Sequence, residues 1–247
     1  MAREPIHANK ESSGKPEPGD MEFDRYANAY TDLVRTGIRA SGEEPSYFAS
    51  MKARYMANAL DAHGPDSSLD ILDFGCGIGN SIPHLRTAFP TSHLHGVDPS
   101  GESIQLASAA YAYAMFSTNR DGGLPYTDDS FDVVQVACVF HHIRPAHRLN
   151  WMKEIHRVLK PGGHVFVFEH NVLNPVTVKA VRESPVDQDA VLLPRRELLG
   201  LARDSAFRHI GSQYVVFFPR FLAGFRPLEP FMGWIPFGAQ YVVHAIA

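Results

Sequence analysis

The hydrophobic positions of the chain change their period near residue 65. Before that point apolar side chains recur at every third or fourth position, in two sets: Phe23, Tyr26, Tyr30, Leu33 and Val34, and then Phe48, Met51, Tyr55 and Leu60. This spacing predicts two amphipathic helices, the second of which begins near Pro45. The residues before them are polar, without the apolar segment of a signal peptide. We therefore predict a disordered leader over 1–20 and a helical segment over 21–64.

From residue 65 onward, short apolar runs alternate with stretches of helical period. The runs are "LDILDF", "HLHGVD", "FDVVQVACVF" and "GHVFVFEH", and a helical stretch follows each of the first three. Their residues are apolar on both faces, as in strands that are covered on both sides of a parallel sheet. The alternation predicts a Rossmann-like, doubly wound α/β domain over 65–247.

The last part of the chain has a different pattern. A helix is predicted around Arg195 to Ala206, and two strands, "SQYVVFFP" and "AQYVVHAIA", follow with no helix between them. They are expected to form an antiparallel pair at one edge of the sheet. The segment that joins them lies within about 218–238, and its stretch "RFLAGFRPLEPFMGWIPFG" contains four phenylalanines and a tryptophan. Such an apolar loop usually covers something, so we expect it to form an aromatic cover.

A glycine-rich loop, "DFGCGIGN" at 73–80, follows the first predicted strand and precedes a helix. Glycine permits a ligand to approach the backbone, and the helix offers free N–H groups at the carboxyl end of a strand. A tight turn without a ligand is the alternative. Asn80 stands where a dinucleotide site has its last glycine, which weakens a nicotinamide interpretation. Asp98 ends the second strand, where an acid holds ribose hydroxyls in such sites; a helix N-cap is the alternative.

The composition of the chain limits the classes of partner that it is expected to bind. The net charge of −4 argues against a nucleic-acid partner, and no segment is long and apolar enough to cross a membrane. The two cysteines, Cys76 and Cys138, lack the spacing of a metal site and are expected to be reduced thiols in a cytoplasmic protein. We therefore expect a small-molecule partner, with neither nucleic acid nor membrane.

Four motifs resemble those of class I S-adenosylmethionine-dependent methyltransferases, in particular the small-molecule group of ubiquinone-biosynthesis and natural-product enzymes. They are "ILDFGCGIG", "GVDPS", "LPYTDDSFDVV" and "RVLKPGGHVFVFEH", and the resemblance runs from about residue 69 to 170. It implies a seven-stranded sheet whose last strand is antiparallel, S-adenosylmethionine as the cofactor, and a lid formed by the N-terminal helices.

The same resemblance implies which residues contact the cofactor. Gly75 and Gly77 would pass under its methionine part, Asp73 would face its amino group, and Asp98 would hold the ribose diol. Asp121 is the nearest acid to the position that accepts from the adenine amino group. The remaining residues predicted at the cofactor are Cys76, Pro99, Cys138 and Tyr30.

Candidate catalytic residues follow the strands that end in "VFHHI" and "FEHN". In related O-methyltransferases a histidine at the position of His141 and an acid at that of Glu169 serve the acceptor, and His142 stands beside them. A carboxylate raises the pKa of a paired histidine and fixes its tautomer, as a base requires; a purely structural pair is the alternative. The side chains of His141 and His142 are expected to diverge because the residues are adjacent, so no metal site is predicted.

Together these observations predict a methyltransferase that acts on nitrogen or oxygen of a small, planar, heteroaromatic or phenolic metabolite, as in secondary-metabolite biosynthesis. C-methylation of a quinone-like acceptor is an alternative within the class. Two alternatives of other classes are an NAD(P)-dependent oxidoreductase and a module that binds the cofactor without catalysis.

Overall fold

The computed structural model describes residues 41–60, 68–119 and 122–247. The predicted leader, the first predicted helix with Tyr30, and Asp121 lie outside the described residues. The second predicted helix is present as α1 (Pro45–Ala59), with Pro45 in its first turn. At 15 residues α1 is the longest helix in the described ranges, and none there combines the length and apolarity of a membrane span.

Seven strands form one sheet in the order β3-β2-β1-β4-β5-β7-β6. Among the described strands β7 runs antiparallel to the other six, which confirms the predicted topology. In chain order after α1 the elements are β1 (Asp70–Phe74), α2 (Ile82–Ala88), β2 (His93–Asp98), α3 (Gly101–Ala110), β3 (Met115–Thr118), β4 (Phe131–Ala137), α4 (Pro145–Val158), β5 (Leu159–His170), α5 (Pro175–Glu183), α6 (Arg195–Asp204), β6 (Arg208–Val215) and β7 (Gln240–Ile246).

Two of these elements, β3 and α5, are absent from the sequence prediction. β3 has only four residues, none of them fully buried, so it carries no long apolar run. α5 begins after Asn174, whose side chain accepts hydrogen bonds from the backbone N–H groups of Val176 and Thr177. Asn at the N-cap with proline at the first helical position is a recognised helix-start signal, so this helix could have been predicted from the sequence.

Hydrophobic cores lie on both faces of the sheet, as the apolar strands predict. One contains residues of α4 and α6, and the other contains residues of α1 and α2. In the second core Met56 of α1 is fully buried, and the ring of Tyr55 meets Phe168 edge-on with centroids 5.8 Å apart. The α1 part of the segment predicted as a lid is therefore packed against the sheet.

Four parallel strands end at the same edge of the sheet. β1 and β2 lead into the glycine loop and Asp98, while β4 and β5 lead into the turn of His141 and His142 and into Glu169 and His170. All of the predicted functional residues in the described ranges therefore lie along one edge.

A matched pair of glycine substitutions tests this packing. In Gly96→Ala the added Cβ would lie 2.6 Å from the Phe116 ring and 2.8 Å from Cys76 Sγ, so we expect a loss of about 1–3 kcal/mol of unfolding free energy. Gly200 lies inside α6 with no neighbouring atom within 4 Å of such a Cβ, so Gly200→Ala should gain about 0.5–1 kcal/mol. Urea unfolding measures both changes, and changes of the same sign would contradict the described packing.

Candidate active site

The three glycines of the loop all have a positive φ but serve different purposes. Their φ angles are 72° at Gly75, 51° at Gly77 and 83° at Gly79. A Cβ at Gly75 would lie 2.5 Å from Val139, and one at Gly79 would lie 2.9 Å from the Tyr111 ring. At Gly77 no atom of the described residues lies within 4 Å of that position. Close packing within the protein thus accounts for two of the glycines, whereas Gly77 faces open space in which a ligand fits.

Asp98 ties this loop to the end of β2. Its Oδ2 accepts a hydrogen bond of 2.8 Å from the backbone N–H of Gly77, and its Oδ1 accepts one of 2.9 Å from that of Ser100. Ser100 is the residue that caps α3, since its hydroxyl accepts from the N–H of Ser103. The alternative in which Asp98 is the helix N-cap therefore does not describe its role. A carboxylate has further lone pairs, so Asp98 retains the capacity to bind hydroxyl groups.

Asp73 is a buried carboxylate with one unused oxygen. It is 2% exposed, and its Oδ1 accepts a hydrogen bond of 2.9 Å from Gln135 Nε2. Its Oδ2 accepts none from the described residues. Burial raises the pKa of Asp73 to about 7, although Gln135 and Lys52 oppose the shift. An ammonium group at Oδ2 would satisfy this oxygen, which is what the cofactor's amino group would supply.

The other predicted cofactor residues lie around the same loop. Cys76 is buried beneath it, and Pro99 is half-buried beside Asp98. Cys138 has a φ of 60°, and its Sγ lies 3.7 Å from Lys52 Nζ and 3.5 Å from Gln240 Nε2. Both thiols are free, and burial raises the pKa of each. Tyr30 and Asp121 lie outside the described residues.

Asn119 is a further polar residue at this edge of the sheet, and the sequence motifs did not point to it. It follows β3 directly, is 9% exposed, and its backbone N–H donates to the carbonyl of Asp98 at 3.4 Å. Its Oδ1 accepts no hydrogen bond from the described part of the chain. Recognising β3 in the sequence would have placed Asn119 at the carboxyl edge.

The two histidines do not diverge, so the expectation that their side chains would point apart is wrong. Their ring centroids lie 4.2 Å apart. β4 ends at Ala137, and the backbone then turns, with hydrogen bonds from His142 N to Val139 O and from Ile143 N to Phe140 O. Alternation applies only within a strand, and these residues belong to a turn.

The structure pairs His141 with Glu169, as the sequence predicts. Nδ1 of His141 lies 2.7 Å from Oε2 of Glu169, and the side chains are 1% and 0% exposed. Burial alone would lower the pKa of His141, but Glu169 raises it to about 10. In turn, burial would raise the pKa of Glu169, but His141 holds it at about 2. The pair is therefore an ionic one in a dry environment.

Asp187 joins this pair without any signal in the sequence. It ends a 3₁₀ turn, Pro185–Asp187, and its Oδ1 lies 3.4 Å from Nε2 of His141 and 3.4 Å from Nε2 of His142. Burial opposes its ionisation, yet both histidines lower its pKa below the usual range. We call His141, His142, Asp187 and Glu169 the histidine cluster.

Arg148 stabilises the backbone on which the histidine cluster stands. It is 1% exposed, and its Nε donates to the carbonyls of Phe140 and Ile143, which flank the two histidines. Its guanidinium also donates to the carbonyl of Val191 and to Glu197. Since Val191 N donates to His141 O at 2.8 Å, Arg148 holds the histidine turn against the segment that follows Asp187.

The aromatic segment at 218–238, predicted to be a cover, exposes its large rings. Its large rings are 53% to 80% exposed, namely Phe221, Phe225, Phe231, Trp234 and Phe237. The segment is anchored through its backbone: Asn171 Nδ2 donates to the carbonyls of Pro236 and Gly238, and Glu229 accepts from the N–H groups of Phe217 and Phe218. The segment is thus anchored by hydrogen bonds to its backbone while its large rings remain exposed, and its role as a cover stays a prediction.

Comparison with known proteins gives consistent matches. Residues 71–163 match a family model described as a methyltransferase domain. The chain is 30% identical over 156 residues to the ubiquinone/menaquinone biosynthesis C-methyltransferase of Geotalea daltonii, a match that covers 60% of each chain. It is 26% identical over 173 residues to a tRNA N(3)-cytidine methyltransferase of Gallus gallus, covering 66% of this chain and 45% of that protein. Both matches span less than two thirds of the relative.

A solved structure shows the same fold. A protein from Thermotoga maritima, described as an S-adenosylmethionine-dependent methyltransferase and possible histamine N-methyltransferase, superposes with a TM-score of 0.65. The superposition covers 92% of this chain and 99% of that chain at 20% sequence identity.

The environment of Asp73 gives a prediction for the ligand-free protein. Because burial raises its folded pKa to about 7 from 3.8, ionisation costs the folded state stability as the pH rises between these values. Asp73→Asn keeps an acceptor for Gln135 but never ionises. It should be more stable than the wild type by a few kcal/mol above about pH 7, and the difference should shrink towards about pH 4.

Urea unfolding at a series of pH values measures this difference. Asp128→Asn, at a side chain that is 73% exposed and pairs with Arg157 at 2.8 Å, is the control and should change stability by no more than about 1 kcal/mol, since exposed ion pairs contribute little. A stability difference for Asp73→Asn that stays constant across the series would show that the carboxylate is not held in an unfavourable environment.

Proposed function

We propose that the chain is a class I S-adenosylmethionine-dependent methyltransferase that transfers a methyl group to nitrogen or oxygen of a small, planar metabolite. The observation that carries the proposal is that two groups of residues lie at the same edge of the sheet. One is an open glycine loop with an unsatisfied Asp73, and the other is a buried polar cluster at the ends of β4 and β5.

On this proposal the residues of the loop bind the cofactor. Asp73 Oδ2 accepts from the amino group, the space at Gly77 admits the methionine part, and Asp98 accepts from the ribose hydroxyls. Asn119 Oδ1 accepts from the adenine amino group, a role predicted for Asp121. S-adenosylmethionine, when bound, supplies a methyl group activated by a sulfonium.

The histidine cluster acts on the acceptor. Glu169 orients His141 through Nδ1, so that Nε2 is the atom that can hold or move a proton, and His142 presents its own Nε2 beside it. Arg148 keeps the turn in place, which matters because alignment of the reacting groups can lower a barrier by roughly 7–11 kcal/mol. Residues that hold the turn therefore affect turnover more than they affect cofactor binding.

The net charge and the comparison with known proteins both bear on the chemical class of the acceptor. A net charge of −4 does not favour a polyanion, which supports a small molecule over RNA. C-methylation of a quinone-like acceptor is the second candidate, and the match to the quinone-biosynthesis enzyme favours it. The nicotinamide alternative has no such support, since Asn80 occupies the position of the third glycine.

Binding of the demethylated cofactor tests the first half of the proposal. Asp98→Ala should weaken S-adenosylhomocysteine binding by about 10- to 150-fold, since a hydrogen bond to a charged group is worth roughly 1.5–3 kcal/mol. Asp128→Ala, at the exposed side chain used above, should bind like the wild type. Calorimetry measures both, and equal affinities would remove Asp98 from the cofactor site.

Turnover tests the second half. The wild type is incubated with methyl-labelled cofactor and a panel of phenols, nitrogen heterocycles, a quinol and bulk tRNA, and products are identified by mass spectrometry. With the best acceptor, His141→Ala should lower turnover by roughly 10²–10⁴-fold while affinity for S-adenosylhomocysteine is unchanged. Transfer to tRNA alone would contradict the small-molecule proposal, and full activity in His141→Ala would contradict the role of the cluster.

A further inference from the structure

Three potential metal ligands converge in the histidine cluster. Nε2 of His141, Nε2 of His142 and a carboxylate oxygen of Asp187 lie within 4.8 Å of one another. They come from two segments of the chain, the turn after β4 and the 3₁₀ turn Pro185–Asp187. His141 is 1% exposed, whereas the side chains of His142 and Asp187 are 21% and 12% exposed, so the cluster is reached from solvent on their side.

The distances suit a bound cation better than a hydrogen bond. Both Nε2–Oδ1 distances are 3.4 Å, longer than the roughly 2.7–2.9 Å of a charge-assisted hydrogen bond. Ligand atoms about 2.0–2.1 Å from a tetrahedral zinc ion are about 3.3 Å from one another, whereas octahedral neighbours would be about 3.0 Å apart. The observed spacing is therefore close to that of two edges of a tetrahedron around a cation.

The surroundings of His141 also match those of a metal ligand. A histidine that binds a metal through one ring nitrogen usually donates the other N–H to a carboxylate, which fixes its orientation. Glu169 Oε2 lies 2.7 Å from Nδ1 of His141 and is fully buried, so it leaves Nε2 facing Asp187 and His142. Arg148 holds both segments through the carbonyls of Phe140, Ile143 and Val191.

From this arrangement we infer that His141, His142 and Asp187 bind a divalent transition-metal cation of the zinc class. Two imidazole nitrogens and one carboxylate are borderline ligands that zinc accepts. A cation bound there would take the place of the proton on Nε2 of His141, so the metal-bound cluster would act through the cation rather than through that nitrogen. Three protein ligands leave a fourth position for water or for a heteroatom of the acceptor, as in catalytic rather than structural zinc sites. The acceptor as occupant of that position rests on the proposed function, whereas the metal binding itself does not.

Titration with cobalt(II) tests the inference directly. Untagged full-length protein is stripped with a chelator, dialysed and titrated with CoCl₂, and the visible absorption of cobalt(II) is followed. We expect saturation at one equivalent per chain, with the intense bands of a four-coordinate ion, and displacement by one equivalent of zinc(II). His142→Ala and Asp187→Ala should abolish these bands.

Two exposed residues nearby provide matched controls. His147→Ala, in the first turn of α4, and Asp189→Ala, two residues beyond Asp187, should bind cobalt(II) like the wild type. Glu169→Gln should weaken binding by about 10- to 100-fold without abolishing the bands, because it only orients a ligand. Circular dichroism confirms that each variant is folded.

Absence of stoichiometric binding, or bands that persist in both His142→Ala and Asp187→Ala, would overturn the inference. Calorimetry with S-adenosylhomocysteine on the same preparations keeps the two proposals separate. Protein that binds S-adenosylhomocysteine but no cobalt(II) retains the proposed function and loses the metal site. Protein that binds cobalt(II) but not S-adenosylhomocysteine retains the metal site and loses the proposed cofactor.

Discussion

The parallel direction of β1, β2, β4 and β5 is the constraint on which the site depends. Strands that run in parallel leave all of their carboxyl ends at one edge, and the chain must turn there each time. The glycine loop, Asp98, the histidine turn and Glu169 are four such turns or strand ends. The strand topology therefore brings residues that are far apart in the sequence to the same edge, without contacts between the residues themselves. The antiparallel β7 completes the sheet beside β5 and places Gln240 near Cys138.

Buried charges at this edge differ in how well the protein satisfies them. Arg148 has partners for its guanidinium among carbonyls and Glu197, whereas in the His141–Glu169 pair Oε1 of Glu169 accepts no hydrogen bond from the described residues. Asp73 is satisfied on one oxygen only. Because an unpartnered buried polar atom costs free energy, the contacts of Arg148 rigidify the site, whereas Asp73 Oδ2 and Glu169 Oε1 are two buried oxygens that a ligand could satisfy.

The sequence predicts those parts of the fold and site that depend on local signals. The four parallel strands are apolar runs, the glycine loop is a local cluster, and the pairing of His141 with Glu169 follows from their places after adjacent strands. Asp187 could not be found in this way, because its position is set by tertiary contacts through Arg148 and Val191. The histidine side chains were mispredicted because strand alternation was extended beyond Ala137. Composition showed that residues 218–238 are aromatic but not which way their rings point, since backbone anchors decide that.

The half-satisfied carboxylate of Asp73 also bears on the life of the protein in a cell. A chain whose folded state is penalised until a ligand arrives has a larger unfolded fraction when that ligand is scarce, and proteases act on that fraction. If the cofactor neutralises Asp73, its supply sets the amount of enzyme as well as its rate. Cells that run short of methyl donor would then degrade this chain faster, so that demand for methyl groups falls together with supply.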